Sequence, residues 1–192
     1  MKMTIKLLCF DIILKGWWRR LLPLLFASIV ESPQRLDNGT FRSSSEVIDH
    51  LYMHTLSCSF HLGVDSAATY QPNRACETAS LQLRVDREKT ELALQMMHEI
   101  LVCSQLASDR VFIAASKILK LLEDKVHDGD NVAMILLRRL LLTEESNYNT
   151  FDQIRMRLLF DEVVHEFSTK KESILQTLEH IRNKVCDASN IR

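Results

Sequence analysis

Apolar positions in this chain change their spacing at one place, and the remaining elements read outward from it. From Ala79 to Val85, the residues Ala79, Leu81, Leu83 and Val85 alternate with Ser80, Gln82 and Arg84. That is the period of a strand with one buried face. Past Asp86-Arg87-Glu88-Lys89, the residues Ala93, Met96, Met97, Ile100 and Leu101 recur every three or four positions. This spacing predicts a helix laying one stripe on the sheet. A second helix follows, with Ser108 or Asp109 as its N-cap and Val111, Phe112, Ala115, Ile118, Leu119, Leu122 and Val126 on its inner face. A strand covered by the helices that follow it predicts an α+β fold, an antiparallel sheet with helices packed on one face and then a helical hairpin region.

Upstream, Thr55 to Val64 alternates Leu56, Cys58, Phe60 and Leu62 against Ser57, Ser59 and His61, a second strand. The polar stretch Ser66 to Glu77 lets the 79–85 strand return antiparallel to it. Before it, Ser44 or Ser45 caps a short helix, Glu46 to Met53. Gln34 to Arg42 is a polar loop, and Pro33 ends the helix ahead of it by disfavouring helical geometry at Ser32. Asn38-Gly39-Thr40 has the form of a glycosylation sequon but reads as an Asn-Gly turn.

Met1 to Val30 carries the weakest pattern. Leu7 to Leu14 is broken by Asp11, and Leu21 to Val30 contains Pro23, so neither reaches the roughly 20 apolar residues of a membrane span. Asp11, Lys15 and Arg19-Arg20 interrupt any signal-peptide core. A basic, nearly acid-free segment fits a mitochondrial presequence or a buried or amphipathic helix anchored by Trp17-Trp18.

Downstream, Gly129 supplies a turn and Asp130 a cap for a helix over Asn131 to Leu142. Its residues are apolar nearly all round from Val132 to Leu137, which predicts burial on more than one side. After the polar stretch Thr143 to Thr150, Phe151, Ile154, Leu158, Leu159, Val163 and Phe167 mark an amphipathic helix. Thr169-x-x-Glu172 is a capping-box pattern for a last helix with Ile174, Leu178, Ile181 and Val185 inside, and the tail from Asp187 frays. The organisation expected is an extension over residues 1–20, one domain over 21–185 and a tail over 186–192.

At 192 residues, 46% hydrophobic and 26% charged, the chain has the makeup of one globular domain. A net charge of -1 and isolated basic pairs, Arg19-Arg20, Arg138-Arg139 and Lys170-Lys171, argue against nucleic acid as a partner. Five widely spaced cysteines without a C-x-x-C pair predict reduced thiols in an intracellular compartment, cytoplasmic or mitochondrial.

The residues also carry a resemblance. The alternating strand, the phrase VDREKTELALQMMHEILVCSQLASDRVFIAASKILKLLED and the helices after it resemble the repeating α/β domain of the inverzincin zinc metallopeptidases, the pitrilysin, insulysin and presequence-protease family. The stretches LLPLLFASIVESP, DGDNVAMILLRRLL and SNYNTFDQIRMRLLFDEVVHEF are most similar to the presequence-protease branch, at the start of its C-terminal half. The resemblance covers roughly Leu21 to Val185 and implies a non-catalytic domain of a zinc metalloendopeptidase, part of the wall of a chamber that encloses peptide. The implied partner is an unfolded peptide or the catalytic half of the same enzyme, with no nucleic acid and no membrane. On this reading the chain is a fragment of a longer product or a degenerate copy kept for association. The competing reading is a free-standing helical interaction module without enzymatic activity, in which Asn131 to Val185 offers an amphipathic face.

The family's chemistry needs H-x-x-E-H, two imidazoles one helical turn apart on zinc with a glutamate as base. His50-Leu51-Tyr52-Met53-His54 has the histidines, but Met53 stands where the glutamate belongs, and a thioether takes no proton from water. His165-Glu166 opens like H-E-x-x-H, with Thr169 in place of the second histidine. Asp124, Asp128, Asp130 and Asn131 lack the glycine and closing glutamate of a calcium loop and read as capping residues. Ser57-x-Ser59 has no nucleophile elbow, and Gly16, Gly39, Gly63 and Gly129 form no phosphate loop. Met96-Met97-His98 has core spacing rather than ligand spacing. The sequence therefore predicts no catalytic, metal or cofactor residues in this chain, the zinc belonging to the full-length family.

Overall fold

The strand at the change of period is the middle of a sheet. The computed structural model describes residues 2–11, 20–62, 78–142 and 152–187. Strand β1 (Lys2–Asp11) precedes helix α1 (Leu22–Ile29), the short strands β2 (Gln34–Arg35) and β3 (Phe41–Arg42), helix α2 (Ser44–His54) and strand β4 (Ser57–Leu62). Strand β5 (Thr78–Asp86) leads through a 3-10 turn (Arg87–Lys89) into α3 (Thr90–His98), which runs on as a π-helical turn (Glu99–Cys103). Helices α4 (Ser108–Val126), α5 (Gly129–Leu141) and α6 (Gln153–Val185) complete the chain. The architecture is α+β. Expectations that fell on Trp17-Trp18, Gly16, Gly63, Val64, Ser66 to Glu77, Thr143 to Phe151 and the last five residues lie outside the described residues.

The three-stranded sheet has the order β1-β5-β4, antiparallel throughout. Leu81, Leu83 and Val85 are fully buried on one face of β5, opposite Cys58 and Phe60 of β4, which pack against the same core. Gln82 and Arg84, on the other face, are not buried. Helix α1 covers the apolar face by stacking Phe26 on Phe60, ring centroids 3.8 Å apart and planes 12° from parallel.

Strand β1 corrects the helix expected near the N-terminus, which is confined to Leu22–Ile29 with Pro23 in its first turn. Its pairing with β5 shifts register between Lys6 and Cys9. That irregularity replaces two-residue alternation by the run Leu7-Leu8-Cys9-Phe10, so the strand shows no strand period beyond Lys6.

Helices α4 and α6 pack along each other, with Phe112 against Phe167 at 5.3 Å. Val111, Ala114, Ala115 and Leu122 are the buried residues of α4, while Phe112 stays 41% exposed. In α6 the buried stripe is Met156, Phe160, Val163 and Phe167 rather than one through Leu158, which is exposed. Leu178, Ile181 and Val185 are buried as their spacing predicts. The expected boundary at Thr169 is met one residue on, where two helical segments of α6 join across a kink with non-helical backbone at Lys170, but the Thr169 hydroxyl donates to the Glu166 carbonyl instead of capping the second segment.

Three caps differ from expectation. Ser43, not Ser44 or Ser45, caps α2, because only Ser43 stands three residues before a glutamate and completes a capping box with Glu46. Asp128 rather than Asp130 caps α5, accepting from the Asp130 N–H. Ala107 occupies the N-cap of α4, with no side-chain cap.

Helix α5 is the largest departure. Of its residues only Ile135 is buried, whereas Leu140 is 84% and Leu141 72% exposed and Met134, Leu136 and Leu137 are also exposed. An all-round apolar sequence exceeds what one contact with α4 can cover, and burial on a second side does not occur among the described residues. No helix among them is long and apolar enough to cross a membrane.

Candidate functional site

Helix α2 presents His50 and His54 one turn apart, their rings 4.7 Å from centroid to centroid and edge to face. Burial chiefly, and then the nearby Arg42 guanidinium and His54, lower the pKa of His50. His54 Nδ1 lies 3.5 Å from Lys89 Nζ. Between them Met53 points outward, 76% exposed, so no carboxylate stands in the position a general base needs.

The other sequence candidates are dispersed. His165 is exposed on α6 and pairs with Asp161, and Glu166 pairs with Lys170. Asp128 and Asp130 belong to the N-terminus of α5. Met96 and Met97 are buried in the core of α3, as their spacing predicts. Ser57 and Ser59 sit on β4 beside Cys58, whose thiol is pushed up to about 11 by burial.

What spacing alone does not announce is a polar constellation between the β2–β3 hairpin and the π-helical turn. The hairpin closes through Leu36 and Thr40, with Gly39 at φ 82° and the Asn38 side chain accepting from the Thr40 N–H. Gln34 bridges to Ser104, and the Gln105 N–H donates to the Pro33 carbonyl at 2.8 Å. These bonds seat the hairpin against the end of the π turn. Below it, Glu99 is only 5% exposed and its carboxylate is held on both oxygens, by Arg42 of β3 at 2.7 Å and by Gln95 at 2.8 Å.

At the hairpin tip, Asp37 reaches the Cys103 thiol, which donates to Oδ1 at 3.7 Å. Burial first, then the Asp37 carboxylate, raises the pKa of that thiol. The ligand atoms of Asp37, His98 and Cys103 all lie within 4.8 Å of one another, with Asp37 and His98 exposed and Cys103 buried. His98 and Cys103 are five residues apart, about 1.4 turns of an α-helix. The π turn between them reduces the angular offset that an α-helix would impose.

A second concavity of about 380 Å³ lies between α1, β4 and α4, lined by Phe26, Cys58, Phe60, Ile113, Lys117 and Leu121 among others. It is mainly apolar and adjoins β4, an edge strand with no partner on its outer side among the described residues. Compared with protein-family models and with curated proteins, the chain matches none.

Proposed function

We propose that this chain is a non-catalytic α+β domain of an inverzincin-type zinc metalloendopeptidase, a wall element that holds unfolded peptide for the catalytic half of the same enzyme. The observation that carries the reading is that β4 is an edge strand among the described residues and lies beside the apolar groove between α1 and α4. An extended peptide adds to such an edge through its backbone, while alternate side chains enter a neighbouring groove. The order of strand β5, α3 and α4 agrees with the resemblance, and Met53 in place of a glutamate agrees with a domain that does no hydrolysis. The free thiols Cys58, Cys103 and Cys186 suit an intracellular setting, cytoplasmic or mitochondrial.

The test is fluorescence anisotropy with a labelled, unstructured, apolar-rich peptide. Binding should weaken at least about tenfold when alternate peptide nitrogens are methylated, or when Ile113→Lys places a charge in the groove. Equal binding of the native and methylated peptides, or chelator-sensitive cleavage by the chain alone, would remove this reading.

The exposed leucines of α5 favour a second reading, a helical interaction module without enzymatic activity. A chain that captures an amphipathic helical peptide but no extended one would decide for it.

A further inference from the structure

We infer that Asp37, His98 and Cys103 form a site for a divalent transition-metal ion, zinc by preference, that clamps the β2–β3 hairpin to the π-helical turn. The site stands without the peptide reading, since none of its three residues lines the groove beside β4.

The donor set is the first argument. A thiolate, an imidazole and a carboxylate together suit zinc, whereas calcium and magnesium select oxygen alone. Geometry is the second. On a tetrahedral ion with bonds of about 2.0–2.3 Å, ligand atoms stand roughly 3.6 Å apart. The Asp37–Cys103 pair is already at 3.7 Å, and all three atoms are within 4.8 Å. Closing the remaining distance falls to the side chains of Asp37 and His98, which are both exposed.

The third argument is that both sides of the site are fixed by other contacts. The Gln34–Ser104 bridge, the Pro33–Gln105 hydrogen bond and the Arg42–Glu99 ion pair hold the hairpin on the turn. The π turn presents His98 and Cys103 to it. A π turn within a helix weakens regular hydrogen bonding and recurs where side chains are positioned for binding.

Binding replaces the Sγ–H···Oδ1 hydrogen bond by Sγ–metal and Oδ1–metal bonds, and the thiol proton leaves to solvent. His98 binds through a neutral ring nitrogen. Water completes the fourth position, because the Asp37 and His98 side is open. The buried carboxylate Glu99 is held on both oxygens by Arg42 and Gln95 and so is not free to act as a base on that water. The site is therefore a clamp rather than a hydrolytic centre.

The experiment is a Co²⁺ titration of the full chain after stripping with chelator, followed by displacement with Zn²⁺. One Co²⁺ per chain should produce a thiolate-to-cobalt charge-transfer band in the near ultraviolet and the strong visible bands of a tetrahedral ion. Cys103→Ser should abolish the charge-transfer band. Asp37→Ala and His98→Ala change exposed residues and keep the fold. Each should weaken Co²⁺ by at least the roughly 10–100-fold that loss of a mere supporting partner costs. His54→Ala should leave the spectrum unchanged. No charge-transfer band in protein folded by circular dichroism overturns the proposal. So does a band indifferent to both Asp37→Ala and His98→Ala, or one lost in His54→Ala.

Discussion

Arg42 and Glu99, 57 positions apart in sequence, meet at 2.7 Å where the β2–β3 hairpin lies on the π-helical turn. Glu99 is the more deeply buried partner, its side chain 7% exposed against 25% for Arg42. A carboxylate removed from water this far depends on its partners for charge compensation. With the Gln34–Ser104 bridge and the Gln105–Pro33 hydrogen bond, their ion pair joins the hairpin that carries Asp37 to the turn that carries Cys103.

Removing one partner of this pair should cost more than removing both. Arg42→Ala leaves Glu99 with Gln95 alone and should lower stability by about 2–3 kcal/mol. Arg42→Met combined with Glu99→Leu should recover much of that loss, because no buried charge remains. Urea unfolding of the single and double variants gives the coupling directly. A double variant no more stable than Arg42→Ala would show that the pair is not what holds the hairpin.

The serine run Ser43-Ser44-Ser45 offers a sharper test of local structure. Ser43→Ala should lose about 1 kcal/mol, the usual worth of an N-cap, while Ser44→Ala and Ser45→Ala change little. The Ser43 backbone N–H first, and its hydroxyl second, hold the Glu46 carboxyl below its ordinary pKa. A depressed folded value means that this contribution is complete above the ordinary glutamate range and is lost as pH falls through the folded value. The stability gap between wild type and Glu46→Gln should accordingly close on acidification, read from urea midpoints at neutral and acid pH.

How far such features were legible depends on whether the deciding contact is local. Strand 79–85 could be read because Leu81, Leu83 and Val85 face one core and their neighbours do not. The capping residue was also available, since Glu46 selects Ser43 three positions before it. Strand β1 was hidden by its register shift. The first half of α6 has apolar residues on more than one face, so Met156 and Phe160 could not be told from Leu158 and Leu159 by spacing. The Asp37–His98–Cys103 cluster gave no signal at all. It depends on a hairpin folding back on a π turn, and neither the closure nor the turn has a pattern in sequence.

Cys58 of β4 should be slow to alkylate. Burial against the α1–β4–α4 core pushes its pKa to about 11, and only the thiolate reacts with alkylating reagents. At pH 8 iodoacetamide should leave Cys58 unmodified in the folded chain and modify it readily in urea. Its rate should rise about tenfold per pH unit between pH 8 and 10, because the thiolate fraction grows in that proportion below the pKa. Peptide mass mapping of the labelled chain measures this, and rapid labelling at pH 8 would mean that the β4 edge opens far more often than its packing implies.

Helix α5 separates the contribution of burial from that of apolar character. Ile135 is buried and Leu140 and Leu141 are not, although all three are large aliphatic residues within two turns. Ile135→Ala should therefore cost about 2–4 kcal/mol through the cavity it leaves. Leu140→Lys with Leu141→Lys should stay within about 0.5 kcal/mol of wild type, since neither side chain leaves a packed site. The same double variant removes the two most exposed leucines of the helix, and its solubility should rise. Urea unfolding and sedimentation velocity on the two variants measure both effects. A double-lysine variant that unfolds would place Leu140 and Leu141 against apolar surface after all, and the exposed face on which the interaction-module reading depends would be gone.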